Sequence, residues 1–212
     1  MWLNNAEGDC IAAGEAAAKG CSGIFVSDDT VQAWATANDD VNGGDIESLL
    51  TTMQSAGFVQ DGNVYNDGPH LSVNWSNPMH LNAALVEGPV KLGVSSAQLQ
   101  NVPGIGIANG WFATGFATDT HYDHDTELLG YGDVAWLAQC LGVPVPGGVD
   151  GAMTGYALFT WGTVGIIDAP SLGAIVGEAW LRNPTTVIVG SGTPTPDPVT
   201  TFPANVLVPV AP

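Results

Sequence analysis

The sequence predicts an α+β fold in which helices come first and strands follow. Three observations carry this. Residues 9–58 show helical apolar spacing between cap and glycine signals. From Pro89 onward apolar residues alternate or run in short strand-like blocks. The two textures do not interleave, as they would in a parallel α/β sheet.

The first helix is expected from an Asp9 cap through Lys19, ended by Gly20; its Ala12, Ala13, Ala16, Ala17 and Ala18 favour helix and allow close packing. A second is expected over Asp28–Ala35. A third runs from an Asp45 cap through Ile46, Leu49, Leu50 and Met53 to Gly57, with Asn42-Gly43-Gly44-Asp45 as the turn before it. Residues 59–76 have no clear period and predict loop and short strand. Asn77-Pro78 then opens a fourth helix, with proline where no amide donor is needed, and Gly88 ends it. Val90, Leu92 and Val94 alternate with Lys91 and Gly93, a strand pattern. Trp111–Phe116, Thr126–Tyr131 and Tyr156–Trp161 also read as strands, with helices at Asp133–Leu141 and Ser171–Leu181. Gly190 to Pro212 contains six prolines and five Ser or Thr, which excludes helix and central strand. The organisation expected is a single domain over residues 1–189 (helical part about 1–88, β-rich part about 89–189) and a Pro-rich tail or docking arm over 190–212.

Composition excludes several functions. The chain has 212 residues, 21 acidic and 3 basic, for a net charge of −18. The imbalance comes from missing Lys and Arg, so nothing can release counterions from a nucleic acid, and an anionic membrane surface is disfavoured. No apolar run is long enough to span a bilayer. The N-terminus lacks the basic and apolar regions of a signal peptide. Three cysteines, Cys10, Cys21 and Cys140, make no disulfide framework and lack the CxxC pairing of structural zinc. No cofactor or metal is expected.

Two residues stand out chemically. Cys10 opens the alanine-rich helix, where the macrodipole and unpaired amides favour thiolate, although Asp9 beside it opposes this. His124 leads into an apolar strand ending at Gly130-Tyr131-Gly132, which would present its imidazole at a cleft edge. His121 three positions earlier makes a metal pair conceivable, but strand-edge spacing does not favour it. His70 and His80 have no companion motif. A third feature is Tyr156-Ala-Leu-Phe-Thr-Trp-Gly-Thr, a strand running into an aromatic-glycine turn.

In this order, Cys10, His124 with Gly130-Tyr131-Gly132, and Trp161-Gly162-Thr163 resemble the papain-like cysteine peptidases, over roughly residues 4–168. Glu87–Val94 is similar to the passage from a short helix into the first barrel strand of such proteins. Asn4–Ala13, Thr160-Trp161-Gly162 and Glu178-Ala179-Trp180 more nearly resemble an uncharacterised phage and prophage branch of that fold. The resemblance implies a helical part packed on a C-terminal antiparallel β-barrel-like sheet. It implies Cys10 as nucleophile, His124 as base and Asn4 as a side-chain oxyanion donor in place of glutamine. The imidazole-orienting Asn of the family is replaced by Phe159, which accepts no proton; Asp125 and Thr160 are the polar groups able to stand in. No propeptide is expected, since Cys10 lies nine residues from the first methionine.

Two functions follow. The first is a papain-fold structural or accessory protein of a phage particle, with catalysis weak or lost. It would be located in the virion, or in the bacterial cytoplasm before assembly, and bind virion subunits or itself through residues 190–212. The alternative is an active thiol hydrolase cleaving peptide or amide bonds with a Cys10–His124 dyad. A carbohydrate surface built from the seven tryptophans is a third, weaker reading, since most lie in core-like segments.

Overall fold

The computed structural model describes Trp2, residues 8–182 and the strand 186–189. The helical part holds α1 (Cys10–Cys21), α2 (Asp28–Ala37) and α3 (Ile46–Ser55). Ser27 caps α2 by accepting from the Thr30 amide, and Asp45 caps α3 by accepting from Ser48. Asp9 occupies the cap position of α1 but makes no capping bond; the cap comes from Asp40, whose carboxylate accepts the Ala12 amide at 2.8 Å. The expected Asp9 cap is therefore corrected to one supplied from another loop.

Two short strands follow, β1 (Phe58–Gln60) and β2 (Asn63–Asn66), joined by Asp61-Gly62. Both turn residues have positive φ (53° and 78°), the twist-matched geometry for a two-residue hairpin. A late strand, β10 (Thr186–Val189), pairs with β2 and completes a three-stranded sheet. After β3 (His70–Ser72) comes α4 (Pro78–Glu87), capped by Asn77 with proline at its start, as expected.

The remainder is strand-rich: β4 (Val90–Val94), β5 (Phe112–Ala113), β6 (His124–Asp133), β7 (Thr154–Thr160), β8 (Thr163–Asp168) and β9 (Val176–Arg182). They form, with β3, a seven-stranded sheet in the order β3-β9-β4-β6-β7-β8-β5, antiparallel except for β5 beside β8. The helix α5 (Val134–Leu141) interrupts this part and ends at Gly142 in the left-handed region, φ 70°. The helix expected over Ser171–Leu181 is only half correct. A capped helix α6 spans Ala169–Ile175, and the rest is β9. The reason is tertiary: β4 is buried on both faces and needs a second ladder partner, and β9 supplies it. The strand expected over Trp111–Phe116 shrinks to the two residues of β5.

Three apolar clusters result among the described residues, the smallest joining α5 to β8 through Val134, Leu137, Ala138 and Ile166. One is built on α1, α2, α3, β1 and β2, with Ile11, Val31, Leu50, Met53 and Phe58 at its centre. Another packs on the large sheet, with Leu92, Leu128, Leu158, Ile167 and Leu172. Between α1 and the sheet lies an ionic layer. All three basic side chains of the chain are there, at 0%, 0% and 6% exposure for Lys19, Lys91 and Arg182. Lys91 meets Asp125 at 2.9 Å and Glu15 at 3.3 Å. Arg182 meets Glu127 at 2.8 Å and Glu15 at 3.0 Å, and Lys19 meets Asp67 at 2.5 Å. Gly14, in the middle of α1, makes room: a Cβ there would lie 2.6 Å from the Lys91 ammonium and 2.9 Å from an Asp125 oxygen. The proline-rich segment 190–212 lies outside the described residues.

Candidate active site

Cys10 is the first residue of α1, and His124 the first of β6, paired across the ladder with Val94. Both are half-buried and line one cleft of about 170 Å³, together with Gly43, Gly44, Ile46, Gly93, Tyr122, Asp123, Asp125 and Glu178. The Asp125 backbone amide is directed at the Cys10 sulfur, which fixes the thiol against the residue that follows His124. The packing of α1 on β6 thus brings together two side chains 114 positions apart (124 − 10).

The imidazole is held on two sides. His124 Nε2 and Thr160 Oγ1 are 2.6 Å apart. The Trp161 ring stacks on the imidazole at 4.4 Å and 11°. Trp161 and Gly162 form the two-residue turn between β7 and β8, and Trp161 has a φ of 43°. A bulky residue in the left-handed region is an outlier, and here it lays the indole over the imidazole. Phe159, at the position the resemblance assigns to the orienting residue, is buried and packs edge-on against Trp2 at 5.6 Å. Of the two substitutes, Thr160 reaches the ring. Asp125 instead turns its carboxylate to Lys91.

The electrostatics oppose the thiolate expected from the helix N-terminus. Burial first, then the Asp125 and Asp40 carboxylates, push the Cys10 thiol up to about 12. Burial brings His124 down to about 4. The resting pair at pH 7 is a neutral thiol and a neutral imidazole. Among the opposing charges are those of Asp125 and Asp40, both distant from Cys10 in sequence. Asp40 is itself pushed up to about 7 by burial. In the ionic layer behind the cleft, burial raises Asp67 to about 8 and lifts Asp125 and Glu127, while Arg182 and Lys91 overcome burial to hold Glu15 down.

Asn4 lies outside the described residues. His121 is exposed, and its amide donates to Asp119 at 3.0 Å. His70 bonds Gln54 at 2.6 Å beside Trp180, so it is a packing residue. Cys21, whose thiol burial pushes up to about 12, sits at the far end of α1. Sequence reasoning missed Asp40, Tyr122 and Glu178, each distant in sequence from Cys10. Only the Gly43-Gly44 turn carried a signal for that wall of the cleft.

No protein-family model matches the chain, and no curated protein sequence matches it. Solved structures do match. The proform of the ragweed pollen cysteine protease Amb a 11 has a TM-score of 0.58 at 15% identity, covering 84% of this chain. The Carica candamarcensis cysteine protease bound to E-64 has a TM-score of 0.57 at 14% identity, covering 85% of this chain and 91% of that one. The bromelain protease from Ananas comosus has 0.55 at 13%, covering the same shares. The chain has the papain-like fold. It spans 60% of the ragweed proform's length.

Proposed function

We propose that the protein is a thiol hydrolase acting on peptide or amide bonds, with Cys10 as nucleophile and His124 as base. The observation that carries this reading is the one cleft lined both by a thiol at a helix N-terminus and by an imidazole fixed by Thr160 and Trp161. With Nε2–H donating to Thr160 Oγ1, Nδ1 keeps its lone pair and is the base in this reading. The Cys10 proton moves to Nδ1 as sulfur attacks the carbonyl carbon and the C–S bond forms. The C–N bond then breaks, and the departing amine takes that proton, leaving a thioester. Water gives a proton to Nδ1 and its oxygen to the acyl carbon; the C–S bond breaks and the proton returns to sulfur. The oxyanion meets the Cys10 backbone amide, among the helix donors that have no intrahelical acceptor. Asn4 is the side-chain donor that the sequence offers for the same role.

The test is incubation of the full chain with an unfolded protein substrate and mass-spectrometric reading of new termini. Cleavage that disappears in Cys10→Ala and His124→Ala is expected. Absence of Cys10-dependent cleavage contradicts the reading.

The neutral resting pair favours a second reading, a papain-fold part used structurally. In that reading the chain is an accessory subunit of a phage particle, bound to other virion proteins or to its own copies through residues 190–212. Cys10→Ala would then leave every function intact, and deletion of 190–212 would release a folded protein from the particle.

A further inference from the structure

The cleft has a charge pattern that the thiol chemistry does not use. Tyr122, Asp123 and Glu178 are exposed on its wall, and Asp125 lines it from below. Asp123 is fixed by Ser96, whose amide and hydroxyl donate at 2.8 and 3.0 Å. Glu178 Oε2 accepts from Trp180 Nε1 at 2.6 Å. Gly93 leaves space for Glu178, because a Cβ there would come within 2.8 Å of its Cγ. The Tyr122 ring lies flat over Gly177, where a Cβ would meet it at 2.6 Å. Asp125 is 2% exposed; one oxygen takes the Lys91 ammonium, and Oδ2 has no hydrogen-bond partner. The chain's three cations are sequestered in the ionic layer behind the cleft. Lys91 neutralises Asp125 from behind, and no lysine or arginine of the chain pairs with Asp123 or Glu178 on the cleft wall.

We infer that the cleft takes a peptide or amide carrying a cationic side chain, lysine or arginine, beside the bond to be cut. This rests on the Cys10–His124 reading above and names its substrate class. Carboxylates at fixed positions beside an aromatic face match an ammonium or guanidinium, through charge-assisted hydrogen bonds and attraction to the ring. The cation has a second effect. Burial is the main reason the Cys10 sulfur stays protonated, and a cation in the cleft opposes the smaller part that comes from carboxylates, so it favours reactivity as well as binding.

The test uses the full chain and three peptidyl chloromethyl ketones, alike except for lysine, norleucine or glutamate next to the reactive group. Alkylation is read separately at Cys10 and at Cys140 by peptide mapping. The lysine reagent is expected to modify Cys10 about tenfold faster than the norleucine one, and the glutamate reagent slowest. The lysine-to-norleucine ratio should fall with added salt and in Glu178→Gln combined with Asp123→Asn. Equal lysine and norleucine rates at a reactive Cys10 overturn the inference and leave the hydrolase reading standing. An equal charge preference at Cys140 also overturns it, because net charge alone then explains the effect. Failure of all three reagents to modify Cys10 faster than Cys140 removes the hydrolase reading, and the inference with it.

Discussion

At the scale of single residues, the site depends on what holds the imidazole and what charges the thiol. Thr160 is the only side chain among the described residues bonded to His124. Thr160→Val removes that partner without changing shape much, and Thr160→Ser keeps it. The valine variant should lose about 10²-fold in Cys10-dependent hydrolysis, and the serine variant little, as read by kcat/KM. Asp40 acts at a distance. Its carboxylate caps α1 through the Ala12 amide and raises the thiol. Asp40→Asn keeps an acceptor for that amide and removes the charge, so the half-point of Cys10 alkylation should move to lower pH. The same variant has a stability signature. Folding raises the Asp40 carboxyl from an ordinary 3.8 to about 7, so its contribution is fully present below 3.8 and lost as pH rises toward 7. Thermal unfolding should therefore show wild type losing ground to Asp40→Asn between pH 4 and 7. A constant difference across that window would contradict this.

At the scale of elements, α1 is a helix selected for small residues because it is wedged between an apolar core and an ionic layer. Alanine is the best helix former, yet Gly14→Ala should destabilise. Its Cβ would press on Lys91 and Asp125, which are buried and tied into the network and cannot swing away. The expected loss is about 1–3 kcal/mol in denaturant unfolding, the usual range for overpacking. No change or a gain would show that the layer is loose. Helices α2, α3 and α4 were legible from caps and spacing because those signals are local. The β1–β2 hairpin had a readable Asp-Gly turn that the lack of period obscured. The strand β9 was not legible: Val176–Arg182 follows a capped helix without a breaker, and only the open edge of β4 pulls it into the sheet. In the site, the flanking motifs pointed to Cys10 and His124, and both line one cleft. Tyr122 and Glu178 were not legible, because they reach the cleft only through tertiary packing, and neither was Asp40, which acts on α1 from another loop.

At the scale of the molecule, the joint between the helical part and the large sheet is ionic where most domains would use apolar contact. The three cations that meet Glu15, Asp67, Asp125 and Glu127 there are all that the sequence possesses. The surface is consequently left to carboxylates, on a chain whose net charge is −18. Such a layer is costly to break from one side. Arg182→Met leaves Glu15 and Glu127 buried with Lys91 alone to share and should cost about 3–5 kcal/mol in urea unfolding. The layer also supports the cleft, since Asp125 belongs to both. The account as a whole rests on His124 acting on Cys10. It is tested most directly by the rate at which a lysine-containing peptidyl chloromethyl ketone modifies Cys10 in wild type and in His124→Ala. The account expects wild type to react at least about 10²-fold faster, with Cys21 and Cys140 unaffected by the substitution. Equal rates at Cys10 in the two proteins would contradict it.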